Sequence, residues 1–206
     1  MIRARHNKLY ERFFDWYIGY MMRSDFRDWV VNGGFRDNGG SILMIGNHFS
    51  WWDGFFGRRL NQVVFRRRFH LMMLEEQLAP RPFLSRLGAF SIRKKSRDAL
   101  ESLRYATNLL HDPSNLVMVF PQGRFQSQHQ HPLSFEHGWF RILRDAPATT
   151  QLVFSACLTE YFAHRKPSLT IYLKQVETIK FAAAEDVEQA YNDFLLDAIR
   201  QQNDTP

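Results

Sequence analysis

Cysteine is almost missing from this 206-residue chain, in which Cys157 is the only one. An intrachain disulfide is thereby excluded, and a reducing, cytosolic setting is the default expectation. The segment around it, Leu152-Val153-Phe154-Ser155-Ala156-Cys157-Leu158, reads as a strand, so the thiol is expected to pack as a small core group. Long apolar runs are lacking too. The nearest, Phe13 to Met22, contains Asp15 and stops at Arg23, short of the roughly 18 apolar residues of a bilayer span. No secretory pattern opens the sequence, and no Gly-x-Ser-x-Gly elbow marks it as a serine hydrolase. Helix-turn-helix, finger and RNA-recognition signatures are absent, as are internal repeats and low-complexity tracts.

What is present is basic and rich in rings. The length suits one domain with a sizeable core. Aromatic residues make up 15% of the chain, with 19 Phe, 7 Tyr and 5 Trp, more than packing needs, which implies a surface that meets something apolar. Lys and Arg number 27 against 21 Asp and Glu, a net charge of +6. Basic and aromatic together suit single-stranded nucleic acid or an anionic membrane surface. Composition does not separate the two.

Residues 1–38 are expected to form an amphipathic helical arm. Phe13, Trp16, Tyr17, Tyr20 and Met21 recur at helical steps of three and four, and Arg3, Arg5, Lys8, Arg12 and Arg23 surround them. Such a helix fits the plane of a membrane interface. It equally fits docking on the domain core, and the two readings are compatible. Asn32-Gly33-Gly34 and Asn38-Gly39-Gly40 punctuate the arm's end. Residues 39–206 then alternate strand-like and helix-like segments. Strands are expected at Ile42–Ile45, Phe69–Leu74, Phe90–Ile92, Asn115–Phe120, Gln151–Leu158 and Leu169–Val176. Helices are expected over Gly54–Gln62, after a Ser96 cap, over Gly138–Arg144 and over Ala184–Gln201. That alternation predicts an α/β domain with a mostly parallel central sheet flanked by helices.

Three strand ends carry chemistry, and open α/β folds gather ligands at the carboxyl ends of strands. The first is Asn47-His48-Phe49-Ser50-Trp51-Trp52-Asp53. A neutral imidazole takes a proton near pH 7, and a carboxylate nearby holds its tautomer and stabilises the imidazolium. His48 and Asp53 are therefore a general base and its orienter, or, on the plainer reading, a surface turn in which Asp53 caps a helix. The second is Phe90-Ser91-Ile92-Arg93-Lys94-Lys95-Ser96-Arg97, where cations precede a helix start. A phosphate there would satisfy both the helix end and the guanidinium groups; a solvated basic turn is the alternative. The third, Phe120-Pro121-Gln122-Gly123-Arg124-Phe125, is a sharp turn that throws Arg124 outward as an anion ligand or as an ordinary surface arginine. His129 and His131, two residues apart with no carboxylate or cysteine beside them, make no zinc set.

In order and spacing these three loops resemble the lysophospholipid acyltransferase family of glycerolipid acyltransferases. The resemblance covers most of Ile42 to Leu158, including Phe135-Glu136-His137-Gly138. Gln122 stands where that family usually has glutamate, Arg124 sits one place before its usual arginine, and Arg93 and Lys94 straddle its second-motif arginine. The resemblance implies transfer of a fatty acyl group from acyl-CoA or acyl carrier protein to a lysophospholipid hydroxyl, with His48 as base and Asp53 fixing the ring. Arg93, Lys94 and Arg124 would bind an anionic head group, Gly123 would let the backbone approach, and the motif places Gln122 in the same substrate-binding set. Trp51 and Trp52 would line the acyl path or simply pack. No metal or cofactor is required beyond the acyl-donor co-substrate. The expected partner is a membrane lipid surface rather than nucleic acid, and the expected place is cytoplasmic, peripheral on the inner face of the cell membrane. Three rivals stay open: acylation of an aminolipid or glycosylated lipid, a hydrolase using His48 on water, and a non-catalytic membrane-binding protein on the same scaffold.

Overall fold

The computed structural model describes residues 1–93, 98–177 and 181–204. Helix α1 spans Lys8–Asp25, strand β1 Trp29–Asn32, strand β2 Ile42–Gly46 and helix α2 Asp53–Leu60, the last running on into a π-turn at Asn61–Phe65. Strand β3 (Arg68–Leu74), a short helix α3 (Glu75–Leu78), a 3-10 turn (Pro82–Leu87) and strand β4 (Ala89–Ile92) follow. Helix α4 (Asp98–Leu109), strand β5 (Asn115–Val119), helix α5 (Phe140–Arg144), strands β6 (Gln151–Glu160) and β7 (Ser168–Val176) and helix α6 (Ala184–Asn203) complete the fold.

All seven strands form one sheet in the order β1-β7-β6-β2-β5-β3-β4. Five of its six pairings are parallel, and only β6 with β7 is antiparallel. A parallel sheet must be covered on both faces, so its strands read as continuous apolar runs rather than alternating ones. β2 shows this fully, since every residue from Ile42 to Gly46 is buried. Its side chains still divide by parity, as the pleat requires. Leu43 and Ile45 point into a core shared with Leu103, Ala106, Ile142, Tyr191 and Phe194 of α4, α5 and α6. Ile42 and Met44 point the other way, into a core with Ile18 and Met22 of α1 and Phe56 and Leu60 of α2. Gly57 lets α2 lie close on the sheet, since a Cβ there would overlap Met118. That contact fixes the start of α2, and with it Asp53, beside the end of β2.

The amino-terminal segment departs from a separate arm of residues 1–38. α1 ends at Asp25, and Trp29–Asn32 pairs with Leu169–Tyr172 as a parallel edge strand of the main sheet. The segment before α1 is held too: Ile2 N donates to Ser91 Oγ at 2.7 Å, and Ser91 N to the Ile2 carbonyl at 2.8 Å. A four-residue strand flanked by Asn-Gly-Gly carries too little pattern to be told from a helix tail. α1 itself packs by one face and shows the other. Ile18, Gly19 and Met22 are buried, while Leu9, Phe13, Trp16, Tyr17 and Tyr20 are exposed. No helix among the described residues is long and apolar enough to cross a membrane. Cys157 is buried, and burial pushes its thiol well above the ordinary range. The expected Ser96 cap lies outside the described residues.

Candidate active site

The His48–Asp53 pair forms where β2 ends. The chain leaves the sheet at Gly46, turns through Ser50, and re-enters as α2 with Asp53 as its first residue. Asp53 is 1% exposed, and its Oδ2 accepts three hydrogen bonds: from His48 Nδ1 at 2.8 Å, Phe49 N at 2.8 Å and Ser50 N at 2.9 Å. An ionised carboxylate only accepts, so the shared proton belongs to Nδ1 and the lone pair to Nε2. Burial raises the proton affinity of Asp53, and the three donors pull it back down. One oxygen of Asp53 thus closes the turn that precedes α2 and fixes the ring, while no side chain caps the helix itself.

Around the pair, amide side chains hold the backbone. Gln122 Oε1 accepts from His48 N at 2.6 Å, and its Nε2 donates to Gln126 Oε1 at 2.7 Å. Gln126 N in turn donates to the His48 carbonyl at 2.9 Å. Gln122 is buried and lines the small cavity beside His48. Its amide is occupied in fixing His48 to the loop after β5. Asn47 bridges to β6 by accepting from Cys157 N and donating to the Cys157 carbonyl, both at 2.8 Å. The imidazole itself lies between two rings, Phe120 at 4.4 Å and nearly parallel, and Phe125 at 4.2 Å. Its side chain keeps 23% exposure, and Nε2 has no hydrogen-bond partner among the described residues. A cavity of about 10 Å³, room for a single water, adjoins Asn47, His48, Gln126 and His131.

The cations are spread along the same sheet edge rather than gathered on His48. Gly123 has φ of 63°, a left-handed turn conformation open to glycine at no steric cost. The turn it makes leaves Arg124 exposed, with no hydrogen bond or ion pair among the described residues, next to the Phe125 that covers His48. Arg93 stands after β4, three strand positions from β2, or about 14 Å at the usual spacing. It is already paired, through Nε to Glu75 Oε1 at 2.7 Å and through Nη1 to Asp98 Oδ2 at 3.0 Å. Arg93 thereby holds the Glu75 carboxyl below its ordinary range. Neither arginine lines the small cavity at His48. Lys94 lies outside the described residues. Trp51 is exposed and packs edge-on against Phe55 at 4.8 Å, whereas Trp52 is half-buried against Phe26 and Phe56. Of the two, only Trp51 offers a surface to a ligand.

Sequence reasoning gave no role to Phe125, Gln126 or Glu75. Phe125 follows directly on the Pro-Gln-Gly-Arg turn, and an aromatic ring just past a sharp turn at a strand end is the sequence signal for it. Among the described residues, no group of three or more His, Cys, Asp or Glu side chains is placed to hold a metal ion. The site is thus an imidazole with one nitrogen anchored and one open, set beside rings and near an arginine whose side chain has no ion pair among the described residues. Such a ring can take a proton from a hydroxyl, or from water, brought to Nε2. A family model described as Acyltransferase matches residues 30–157, which include the end of β2, the His48–Asp53 turn, the loop after β5 and most of β6. No curated protein matches the chain.

Proposed function

The chain belongs to the acyltransferase family, and from that premise we propose that it moves a fatty acyl group from an acyl thioester to a hydroxyl of a lysophospholipid such as 1-acyl-glycerol-3-phosphate. The acyl donor in this reading is acyl-CoA or acylated acyl carrier protein. His48 Nε2 removes the hydroxyl proton as the oxygen attacks the thioester carbonyl. The tetrahedral adduct collapses by breaking the C–S bond, and the thiolate regains a proton from the imidazolium. A thiolate leaves readily, so no covalent enzyme intermediate is needed and the buried Cys157 takes no part. Asp53 keeps the imidazole in the Nδ1–H tautomer and stabilises its charged form.

The observation that carries this reading is the 2.8 Å contact from His48 Nδ1 to Asp53 Oδ2, with the opposite nitrogen left open. Arg124, with no ion pair among the described residues and next to Phe125, is the head-group ligand. Phe125 and Trp51 offer apolar surface to the acyl chain. The exposed ring face of α1, with Leu9, Phe13, Trp16 and Tyr20 more than half exposed, supports peripheral attachment to the inner face of the cell membrane, where the acceptor is dissolved. A net charge of +6 favours an anionic surface. The test is mass spectrometry of products after incubation with acyl-CoA or acyl carrier protein and a panel of lysolipids, in the intact protein and in His48→Ala. Acylated product from the intact protein, lost in His48→Ala with the fold retained, is the expected result. Equal product from both proteins would remove His48 from the chemistry. Acylated aminolipid or glycolipid in place of phospholipid would move the acceptor assignment.

A further inference from the structure

A second concave site lies at the opposite, amino edge of the sheet, away from His48. It is a cavity of about 260 Å³ between α1, α2 and the start of β3, and four arginines line it: Arg58, Arg66, Arg67 and Arg68. Two carboxylates, Glu11 and Asp15, face them, which leaves an excess of two positive charges. Both carboxylates are already engaged. Asp15 Oδ1 accepts from Arg58 Nε at 2.5 Å, and Glu11 Oε1 lies 2.6 Å from His6 Nδ1.

The arginines are held in place by the backbone rather than carried on a loose loop. After the π-turn, Arg66 adopts a left-handed φ of 56°, and its N–H closes on the Asn61 carbonyl at 2.6 Å. The buried Asn61 amide then bonds Arg67 on both sides, donating to its carbonyl at 2.7 Å and accepting from its N–H at 3.1 Å. Arg58 is 7% exposed and anchored to the Leu87 carbonyl at 3.0 Å. Arg67 is tied to Asp37 at 2.7 Å, yet its Nε is buried with no acceptor among the described residues. The guanidinium groups of Arg66 and Arg68 make no hydrogen bond or ion pair among the described residues, and both residues are exposed at the cavity. Buried polar groups without partners are uncommon, and clustered like charges repel, so this arrangement gains most from an added anion. Planar guanidinium groups in a rigid array match the oxygens of phosphate.

We propose that this cavity binds a phosphate-bearing group of two or more negative charges, at a site separate from the acyl-transfer centre. About 15 Å of sheet, the length of β2, lies between the two, so an anion here is not the head group presented to His48. The cavity is on the packing side of α1, behind the exposed rings, where a soluble phosphate ester has the readier access and a lipid head group is the other source of the same chemistry.

The experiment is calorimetric titration of the whole protein with sodium pyrophosphate at constant ionic strength, beside the double variant Arg66→Ala, Arg68→Ala. Those two side chains have no hydrogen bond or ion pair to lose among the described residues, and a cooperative melt confirms that the variant is folded. A parallel arm measures binding to phosphatidylcholine vesicles with and without 10% phosphatidic acid. Saturable pyrophosphate binding, weakened by about tenfold or more in the variant, establishes the site with a soluble ligand. Binding that appears only with phosphatidic acid and falls by the same factor in the variant establishes it with a lipid source. No binding in either arm, or equal binding by the two proteins, overturns the proposal. Acyl transfer is not the readout, so this result stands apart from the catalytic reading.

Discussion

Acidification from pH 7 to pH 5 is expected to destabilise the fold by about 2 kcal/mol through one buried side chain, His70. Asn115 Nδ2 donates to the Leu109 carbonyl at 2.8 Å, which leaves its Oδ1 facing His70 Nε2 at 3.2 Å. That nitrogen therefore carries the hydrogen, and the lone pair is on Nδ1, 3.4 Å from His6 Nε2. A second proton on His70 would place a charge inside a residue that is 2% exposed, against a second ring whose own protonation it opposes. Burial, the neighbouring His6 and the charge of Arg68 hold its pKa at about 3, against 6.5 for a free histidine, with Asn115 and Asp112 opposing. In the unfolded chain the same ring charges normally. The stability conferred by keeping it neutral is complete above pH 6.5 and is lost as the pH falls from there toward 3. By linkage the loss is about 2 kcal/mol at pH 5 and about 4 kcal/mol by pH 3. For a chain of this size the first step lowers the melting temperature by about 4–8 °C. Over pH 7 to 5 Asp37, Glu75 and Asp112 stay ionised, because their proton affinities are lowered, while His6 and His131, whose affinities burial also lowers, add to the acid loss in the same direction. Denaturant or thermal melts at the two pH values, repeated on His70→Gln, make the measurement. The variant is expected to lose the His70 share, about 2 kcal/mol of the pH dependence. A wild-type melting temperature that does not move, or a variant that moves just as far, would refute the argument.

Three further outcomes concern function. Asp53→Asn keeps an acceptor for the N–H groups of Phe49 and Ser50 but lets the His48 tautomer reverse, so turnover should fall by about 10³ or more while the melting temperature changes little. Steady-state kinetics beside a melt checks it, and near-normal turnover would mean that the carboxylate only closes the turn before α2. Arg124→Ala should raise the Michaelis constant for a phosphorylated acceptor more than it lowers turnover; an unchanged constant removes it as a head-group ligand. Replacing Phe13, Trp16 and Tyr20 together by alanine removes rings that are 56%, 62% and 56% exposed. Vesicle partitioning should weaken by about tenfold or more with the fold intact, and undiminished partitioning would show that this face does not meet lipid.

The strands of the inner sheet were legible because parallel strands covered on both faces are apolar throughout. Ile42–Gly46 and Asn115–Val119 stand out for that reason. β1 was not legible, since Trp29–Asn32 is a short, half-buried edge whose pairing with β7 is decided across more than a hundred residues. The His48–Asp53 pair could be read from spacing, because both ends of one tight turn are set locally. Arg93 could not be read correctly in the same way. Its role turns on Glu75, eighteen residues earlier on a neighbouring strand end, and periodicity carries no information about such a partner. The arginine cavity was missed for a related reason. Arg66-Arg67-Arg68 has no spacing that marks a site; the cavity exists because α1 and α2 border it and Asn61 fixes the turn.

The amide at position 122 deserves its place on physical grounds rather than as a deviation from a motif that usually has glutamate. An amide donates and accepts at once, so Gln122 can take the His48 N–H on its oxygen while offering its nitrogen to Gln126 Oε1. A carboxylate could accept from His48 N too, but Gln126 would then have to turn its amide over and present Nε2. The cost lies in the charge, since position 122 is only 4% exposed. Asp53 is a buried carboxylate whose proton affinity burial already raises, and a second negative charge bound to the same His48 backbone would raise it further. With glutamine at 122 the imidazole faces a single carboxylate, and the loop that carries Phe125 and Arg124 is fixed to His48 by neutral hydrogen bonds that do not compete with Asp53 for the ring proton.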